Sequence, residues 1–218
     1  ASVKKNGFLR NDDAAKSQRL KKFVREQVKS ALLKCGRQMV ISKGAEFLTA
    51  RKLSEASNTS VGTIYNTFAT MEDFVAEENM QTLDELYAAL KIIVPEANPY
   101  ININRYADVF SSFVCANRNL WMLLYRERLQ SENLTYKKQY ERKIGRIEVL
   151  LARQVEAMFG SLNKAERRTS LQVLEMALFA VSGFLAADPS GSFRGVNKNN
   201  VCKLLLNTYL AGLASLKR

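Results

Sequence analysis

Side chains that could bind an anionic polymer cluster near the start of the sequence. Residues 1–52 hold 14 Lys and Arg against 4 Asp and Glu, or +10 of the net +12 of the whole chain. A stretch of small and hydroxyl-bearing side chains follows between Ser60 and Thr67. Cationic side chains neutralise phosphates, and short polar side chains can approach base edges in a major groove about 12 Å wide. The pattern predicts double-stranded DNA as a partner.

Individual contacts can be assigned by side-chain chemistry. Arg51 can form a bidentate contact to guanine, whereas Thr49 and Tyr65 can give hydroxyls to phosphates and Val61 can meet a thymine methyl. Two alternatives stay open: Arg51 touches phosphate only, or Tyr65 is a core aromatic. The predicted DNA-contacting residues are Thr49, Arg51, Lys52, Ser60, Val61, Thr63, Tyr65, Asn66, Thr67, Arg19, Lys21 and Lys22.

The basic residues before position 23 have two interpretations. Lys16, Arg19, Lys21, Lys22 and Arg25 can neutralise phosphates or reach into a neighbouring minor groove, as basic N-terminal arms do. Residues 1–22 could equally be a solvated basic tail.

Several kinds of chemistry are not indicated. The chain has no His, which excludes Ser-His-Asp and Cys-His nucleophilic sites and the common zinc motifs that need His. Cys35, Cys115 and Cys202 are far apart and form no C-x-x-C pair. We find no telling pair of carboxylates and no glycine-rich phosphate loop. An enzyme, a metal and a cofactor are therefore not predicted.

No membrane or export segment is predicted either. The sequence has no run of 18 uncharged apolar residues, and its first residues lack an apolar signal core. The expected location is the cytoplasm, in association with the nucleoid.

Three consecutive helices must position the DNA-contacting side chains. A first helix, capped by residues 11–13 or by Ser17, ends at Gly44. Thr49 and Ser60 then cap two short helices, and Asn58 between them suits a tight turn that needs positive φ. This arrangement is a helix-turn-helix.

The same residues resemble a known family. Residues 48–56, the run Ser60-Val61-Gly62-Thr63-Ile64-Tyr65-Asn66-Thr67-Phe68 and residues 71–74 are similar to the N-terminal domain of TetR-family transcriptional regulators, over about residues 23–80. Three positions depart from the family pattern: Asn58 replaces the turn Gly, Thr59 a hydrophobic residue, and Met71 a Lys that supports a phosphate contact in the family.

The remainder of the chain reads as a second helical module. Helices are predicted at 70–91, 101–118, 119–130, 134–159, from about 163 to 187, and at 198–216, so the predicted fold is all-α and TetR-like. The domain prediction is a basic arm with the start of the first helix (1–22), a helix-turn-helix domain (23–69) and a ligand-binding and dimerisation domain (70–218).

The last two helices are apolar on more than one face, which predicts that a second copy covers part of them. The resemblance implies the same, because TetR-family regulators usually form dimers through their last two long helices. A single larger monomeric core is the alternative. The predicted interface residues are Leu174, Leu178, Val181, Leu185, Leu205 and Tyr209.

Regulation is implied by the resemblance alone. TetR-family regulators usually enclose a small-molecule cavity in the C-terminal domain, and ligand binding lowers their affinity for DNA. With no obvious buried charged cluster in the sequence, the expected effector is apolar or amphipathic. The candidate wall residues, which could also be plain core, are Phe110, Phe113, Trp121, Met122, Tyr125 and Phe179.

The predicted function is a sequence-specific repressor that binds a palindromic operator as a homodimer and is released by a small effector. The alternative is a non-specific architectural DNA-binding protein with the same fold.

Overall fold

The computed structural model describes residues 6–130, 134–160, 163–187 and 198–216, and all secondary structure within these ranges is helical. The predicted all-α fold class is therefore confirmed. The α-helices are α1 (Asn6–Lys43), α2 (Ala50–Ser57), α3 (Val61–Phe68), α4 (Met71–Lys91), α5 (Pro99–Ala116), α6 (Arg118–Gln130), α7 (Leu134–Phe159), α8 (Lys164–Ala187) and α9 (Lys198–Leu216).

Helix α1 begins earlier than predicted. It starts at Asn6, so the predicted N-caps at 11–13 or Ser17 are wrong. The stretch 8–35 contains no Gly or Pro, and a cap-type residue inside a helix costs less than about 1 kcal/mol, so nothing there stops the helix. The basic side chains from Lys16 onward stand on this helix, and residues 1–5 of the predicted arm lie outside the described residues.

The chain divides into two compact units, residues 1–74 and 75–218. The core of the first unit consists of Leu32, Leu53, Ile64, Phe68 and Phe74. These side chains come from α1, α2, α3 and the first turn of α4, so one small core holds the helix-turn-helix together.

The predicted caps and turn of the helix-turn-helix are confirmed. The Thr49 hydroxyl accepts a hydrogen bond from the Lys52 amide at 3.3 Å, and the Ser60 hydroxyl accepts one from the Thr63 amide at 3.1 Å. Asn58 ends α2 with φ 51° and ψ 38°. Each cap satisfies an amide that the first helical turn leaves without a backbone partner. The two short helices therefore have well-defined beginnings.

The second unit is built from most of α4 and from α5 to α9. Its largest apolar cluster joins side chains of all these helices, including Leu90, Phe110, Leu151, Leu185 and Leu210. Helix α5 begins at Pro99 rather than at residue 101, because Asn98 caps it and Pro tolerates the first helical position, where no N–H is needed.

Helix α8 is apolar on both sides, as predicted, but its faces have different roles. Leu174, Val181 and Leu185 are buried in the core of the second unit, so the prediction that they contact a second copy is corrected. Periodicity could not tell which of two apolar faces points inward. Among the described helices, α8 is also long and apolar enough to cross a membrane, a property that core helices share.

The other predicted interface residues differ in exposure. Tyr209 is buried and its hydroxyl donates to the Ser170 carbonyl at 2.8 Å, while Leu178 is half-buried against the core. Leu205 remains exposed.

Candidate DNA-binding surface and ligand cavity

Helix α3 has a buried side and an exposed side. Ile64 and Phe68 are buried, whereas Val61 is 38% exposed and Tyr65 is 45% exposed. The alternative that Tyr65 is a core aromatic is therefore wrong. The exposed side also carries Asn66. Because the outward side chains are short apart from Tyr65, the helix could approach a groove closely.

The Ser and Thr hydroxyls at the N-cap of α3 and within it form hydrogen bonds inside the helix. The hydroxyls of Ser60 and Thr63 are 2.9 Å apart, and the Thr67 hydroxyl donates to the Thr63 carbonyl at 2.8 Å. These bonds hold the side chains in defined rotamers. Ser60 and Thr67, predicted as DNA contacts, thus have a structural role in addition to any contact with DNA.

Helix α2 presents two cations next to this surface. The Arg51 side chain is 88% exposed, and its Nε donates to Oε1 of Glu55 at 3.1 Å. The Lys52 Nζ lies 4.2 Å from the centre of the Phe47 ring. An exposed ion pair contributes at most about 1 kcal/mol, so Arg51 can exchange Glu55 for a base or phosphate at small cost.

Helix α1 adds further exposed positive charge. Arg19, Lys21 and Lys22 are all exposed. Arg25 donates to the backbone carbonyl of Asn66 at 3.4 Å, which ties α1 to the C-terminal half of α3. Cations on α1 thus belong to the same compact unit as the exposed face of α3.

Met71 does not replace the Lys that the family pattern has at this position. Its side chain is half-buried and packs against the core of the first unit. A phosphate contact here would need the first amides of α4. The Thr70 hydroxyl already accepts a hydrogen bond from the Asp73 amide at 3.0 Å and donates one to the Asp73 carboxylate at 2.8 Å.

The second unit contains a small cavity of about 40 Å³ whose walls come from α4 to α8. Three predicted wall residues line it: Phe110, Trp121 and Phe179. Two carboxylates that the sequence analysis missed, Glu148 on α7 and Glu175 on α8, line it as well. We call this space the carboxylate cavity.

The other predicted wall residues stand behind the lining. Phe113 packs edge-to-face on Trp121 at 6.3 Å, and Tyr125 stacks on Phe179 at 4.3 Å with the rings 11° apart. Met122 packs against the core. Gly183 allows this packing, because a Cβ there would lie 2.6 Å from the Tyr125 ring.

Glu148 lies in an environment that disfavours its charged form. Burial in the cavity wall raises the pKa of Glu148, and the negative charge of Glu175 raises it further. Both effects penalise the charged form. Ser182 also lines the cavity, with its hydroxyl donating to the Phe179 carbonyl at 2.8 Å. Among the described residues that form the wall, none is a Lys or an Arg.

The Glu148 pKa predicts a pH-dependent effect on stability. When the pKa of a carboxyl group is higher in the folded than in the unfolded protein, the protonated carboxyl stabilises the folded state. This stabilisation is fully present below the unfolded pKa and is lost as the pH rises through the folded pKa. Glu148→Gln should therefore raise the free energy of unfolding at pH 7 and leave it nearly unchanged at pH 4. The gain should stay below about 1 kcal/mol, since Glu148 is only half-buried.

Urea unfolding at the two pH values measures this effect. Glu141→Gln is the matched control, because Glu141 is an exposed carboxylate on the same helix. An equal gain for both variants at pH 7, or an equal gain for Glu148→Gln at both pH values, would contradict the assigned pKa shift.

Within the described residues, no three Cys, Asp or Glu side chains lie close enough together to bind a metal ion.

Comparison with known proteins identifies the fold. No protein-family model and no curated protein matches the chain. Solved structures do match. A TetR transcription regulator from Haloarcula marismortui has a TM-score of 0.66 at 11% identity, covering 86% of this chain and 98% of that one. A TetR-like transcriptional regulator from Rhodococcus sp. RHA1 has a TM-score of 0.60 at 19% identity, covering 88% and 96%.

A third similar structure contains a ligand. It is the Thermus thermophilus FadR, a TetR-family transcriptional repressor in complex with lauroyl-CoA, with a TM-score of 0.64 at 14% identity over 84% of this chain and 93% of that one. At these identities the likeness concerns the fold. This chain has the fold of TetR-type transcriptional regulators over most of its length.

Proposed function

We propose that this protein is a sequence-specific DNA-binding transcriptional regulator, acting as a repressor on a palindromic operator. The observation that carries the proposal is the exposed side of α3. Its outward side chains are mostly short, its inward side is anchored by Ile64 and Phe68, and cations of α1 and α2 belong to the same compact unit. A protein needs both features to contact base edges in the groove and to bind the flanking phosphates at the same time.

The fold supports a non-enzymatic role in the cytoplasm, in contact with the nucleoid. The similar structures named above are transcriptional regulators. The absence of His in the sequence agrees with this assignment, since it removes the commonest general base.

An apolar surface on the second unit supports a homodimer. Val173 and Met176 of α8 are 47% and 72% exposed, and Leu204 and Leu205 of α9 are 68% and 39% exposed. We call these four side chains the α8–α9 face. Val173 and Leu205 line one groove, and Gly212 in that groove has no atom within 4 Å of where its Cβ would be, so a second helix could approach closely. Exposed apolar patches of this kind mark interaction sites.

Twofold symmetry also has a functional reason. One helix-turn-helix makes too few base contacts to select a site, whereas two heads related by a dyad read both halves of a palindrome. In this proposal a small effector binds in the second unit, favours a conformation with lower affinity for DNA, and so releases the operator.

Arg51→Ala tests the DNA-reading role. The wild-type protein is first used to select its preferred duplex from a random pool. The variant should then bind the selected duplex with a loss of about 1–3 kcal/mol, and discrimination at one base pair in each half-site should relax. Fluorescence anisotropy with selected and random duplexes at one fixed salt concentration measures both quantities.

Arg142→Ala is the matched control, since Arg142 is an exposed Arg on α7 of the second unit. An equal loss on selected and random duplex would make Arg51 a phosphate contact. If selection yields no preferred duplex although random DNA binds tightly, the protein is the alternative candidate, a non-specific architectural DNA-binding protein, which the +10 charge of residues 1–52 would also suit.

A further inference from the structure

The N-terminal part of α1 carries an exposed apolar stripe. Leu20, Phe23 and Val24 are 63%, 60% and 52% exposed, and their three- and four-residue spacing places them on one face of the helix. Every residue from 16 to 27 is exposed as well, so packing within the first unit contributes little to the stability of this part of α1. We call the three apolar side chains the outer stripe. Clustered apolar side chains of this kind mark an interaction site.

The outer stripe points away from the core of the first unit. Phe23 precedes the buried Leu32 by about two and a half turns, so the two side chains lie on opposite sides of α1. Arg25 lies on the same side as Leu32, and it donates to the Asn66 carbonyl on α3. The side of α1 that borders α3 is therefore cationic, and DNA bound at α3 leaves the outer stripe in water.

The charges beside the outer stripe indicate what covers it. Arg19 and Glu26 are about two turns apart and border the stripe on the same side. In an antiparallel pair of identical helices, residues at equivalent positions on that border face each other across the contact. A dyad midway between positions 19 and 26 places Arg19 of each copy opposite Glu26 of the other. The same register places Phe23 next to Phe23, and Leu20 next to Val24 of the other copy.

Other occupants fit these charges less well. A parallel pair of α1 helices brings Arg19 next to Val24 of the other copy, so neither border charge meets an opposite charge. An anionic lipid surface attracts the cations of α1 but repels Glu26 at the edge of the stripe. The antiparallel pair is the arrangement in which both border charges are compensated.

We propose that the outer stripe binds a second copy of this chain through an antiparallel contact between their α1 helices. This contact is separate from the α8–α9 face. Arg19 takes part in it, whereas Lys21, Lys22 and Arg25 stay available for phosphates. Each copy contributes only three apolar side chains, so the Kd should be on the order of 0.1 mM. The contact is hardly populated at micromolar concentration and gains weight where copies are held close together, as on one DNA molecule.

Sedimentation equilibrium of the full chain, without DNA, measures this contact. The average mass of the wild-type protein should rise as its concentration increases from about 10 µM to about 0.5 mM. Phe23→Ala should remove most of this rise. Phe47→Ala is the matched control and should leave it unchanged, because Phe47 is 41% exposed in the same unit and is not part of the outer stripe.

Charge reversal tests whether the partner is a second copy. Arg19→Glu alone and Glu26→Arg alone should each weaken the association about tenfold, since each turns two attractive pairs into two repulsive ones. In an equal mixture of the two variants, every border pair between unlike chains is attractive again. The mass of the mixture should therefore rise at least as strongly as that of the wild type, a recovery that damage to the fold cannot produce.

Three results would overturn the proposal: a mass that stays constant with concentration, a rise that survives Phe23→Ala, or a mixture that associates no better than its two components. Flotation with vesicles of phosphatidylcholine and phosphatidylserine tests the lipid alternative. Phe23-dependent binding to these vesicles, by a protein whose mass stays constant, would assign the outer stripe to a membrane surface instead.

This inference and the proposed function can fail separately. The mass at the lowest concentration reports on the α8–α9 face, and only its rise reports on the outer stripe. Because the measurement contains no DNA, a protein that selects no duplex can still show the α1 contact, and a selective DNA-binding protein can lack it.

Discussion

Val173→Asp combined with Leu205→Asp should convert the protein from a dimer to a monomer. Both side chains belong to the α8–α9 face and are partly exposed in the single chain, so their replacement costs the fold of the second unit little. In a dimer related by a dyad each substitution occurs twice, which brings four carboxylates into an apolar contact with no compensating cation introduced. Light scattering at micromolar concentration should give the mass of two chains for the wild type and of one chain for the variant.

Binding to the selected duplex should fall by about a thousandfold or more in the same variant, because a lone head retains mainly the phosphate contacts shared with random DNA. The control is Ile92→Asp combined with Val94→Asp. These two residues are 79% and 78% exposed and stand outside the α8–α9 face. A one-chain mass for the wild type, or a two-chain mass for the variant, would rule out this interface.

The parts of the fold that could be predicted from the sequence are those determined by neighbouring residues. Thr49 and Ser60 cap amides three positions ahead, and Asn58 is the kind of non-glycine residue that tolerates positive φ. Each feature depends on atoms within one turn of the chain. The helix-turn-helix is made almost entirely of such features, so it could be identified before its packing was known.

Other features depend on packing between distant segments. Ala69, which ends α3 with φ 56°, has a side chain that disfavours this conformation. The short connection is needed because Phe68 and Phe74, on either side of it, pack in one core. No pattern of neighbouring residues in the sequence predicts this positive φ at Ala69.

The cavity carboxylates and three of the four side chains of the α8–α9 face, Val173, Met176 and Leu204, escaped prediction for a related reason. Glu148 lies in a basic amphipathic helix, and in such a helix the sequence pattern predicts that a single Glu is exposed to solvent. Leu174 and Val173 are adjacent in sequence, yet one is buried and the other is 47% exposed. Periodicity gives the angle between two side chains around a helix, but the direction of the core comes from the neighbouring helices.

Phe74→Ala should cost about 3–5 kcal/mol of stability in the first unit. The Phe74 ring is fully buried and meets the Phe68 ring edge-to-face, with centres 4.8 Å apart. It also fills a space that Gly36 leaves open on α1, where a Cβ would lie 2.4 Å from the ring. Phe68 anchors the inward side of α3, so the loss of this packing should weaken binding to both selected and random duplex.

The measurement has to resolve the two units, because a chain with two compact units need not unfold in one step. Hydrogen exchange followed by peptide mass spectrometry reports separately on peptides of α1, α2 and α3. Their protection should fall strongly in Phe74→Ala. Phe47→Ala is the matched control in the same unit, since Phe47 is 41% exposed and should cost less than about 1 kcal/mol.

A double-mutant cycle tests the fit between the ring and the glycine. Gly36→Ala alone should destabilise the first unit by about 1–3 kcal/mol, because the added methyl overlaps the Phe74 ring. In the Phe74→Ala background the same methyl enters the space that the ring has left, so its cost should largely disappear. Strict additivity of the two substitutions would mean that Gly36 and Phe74 are not in contact, and the packing that holds α3 in place would have to be reassigned.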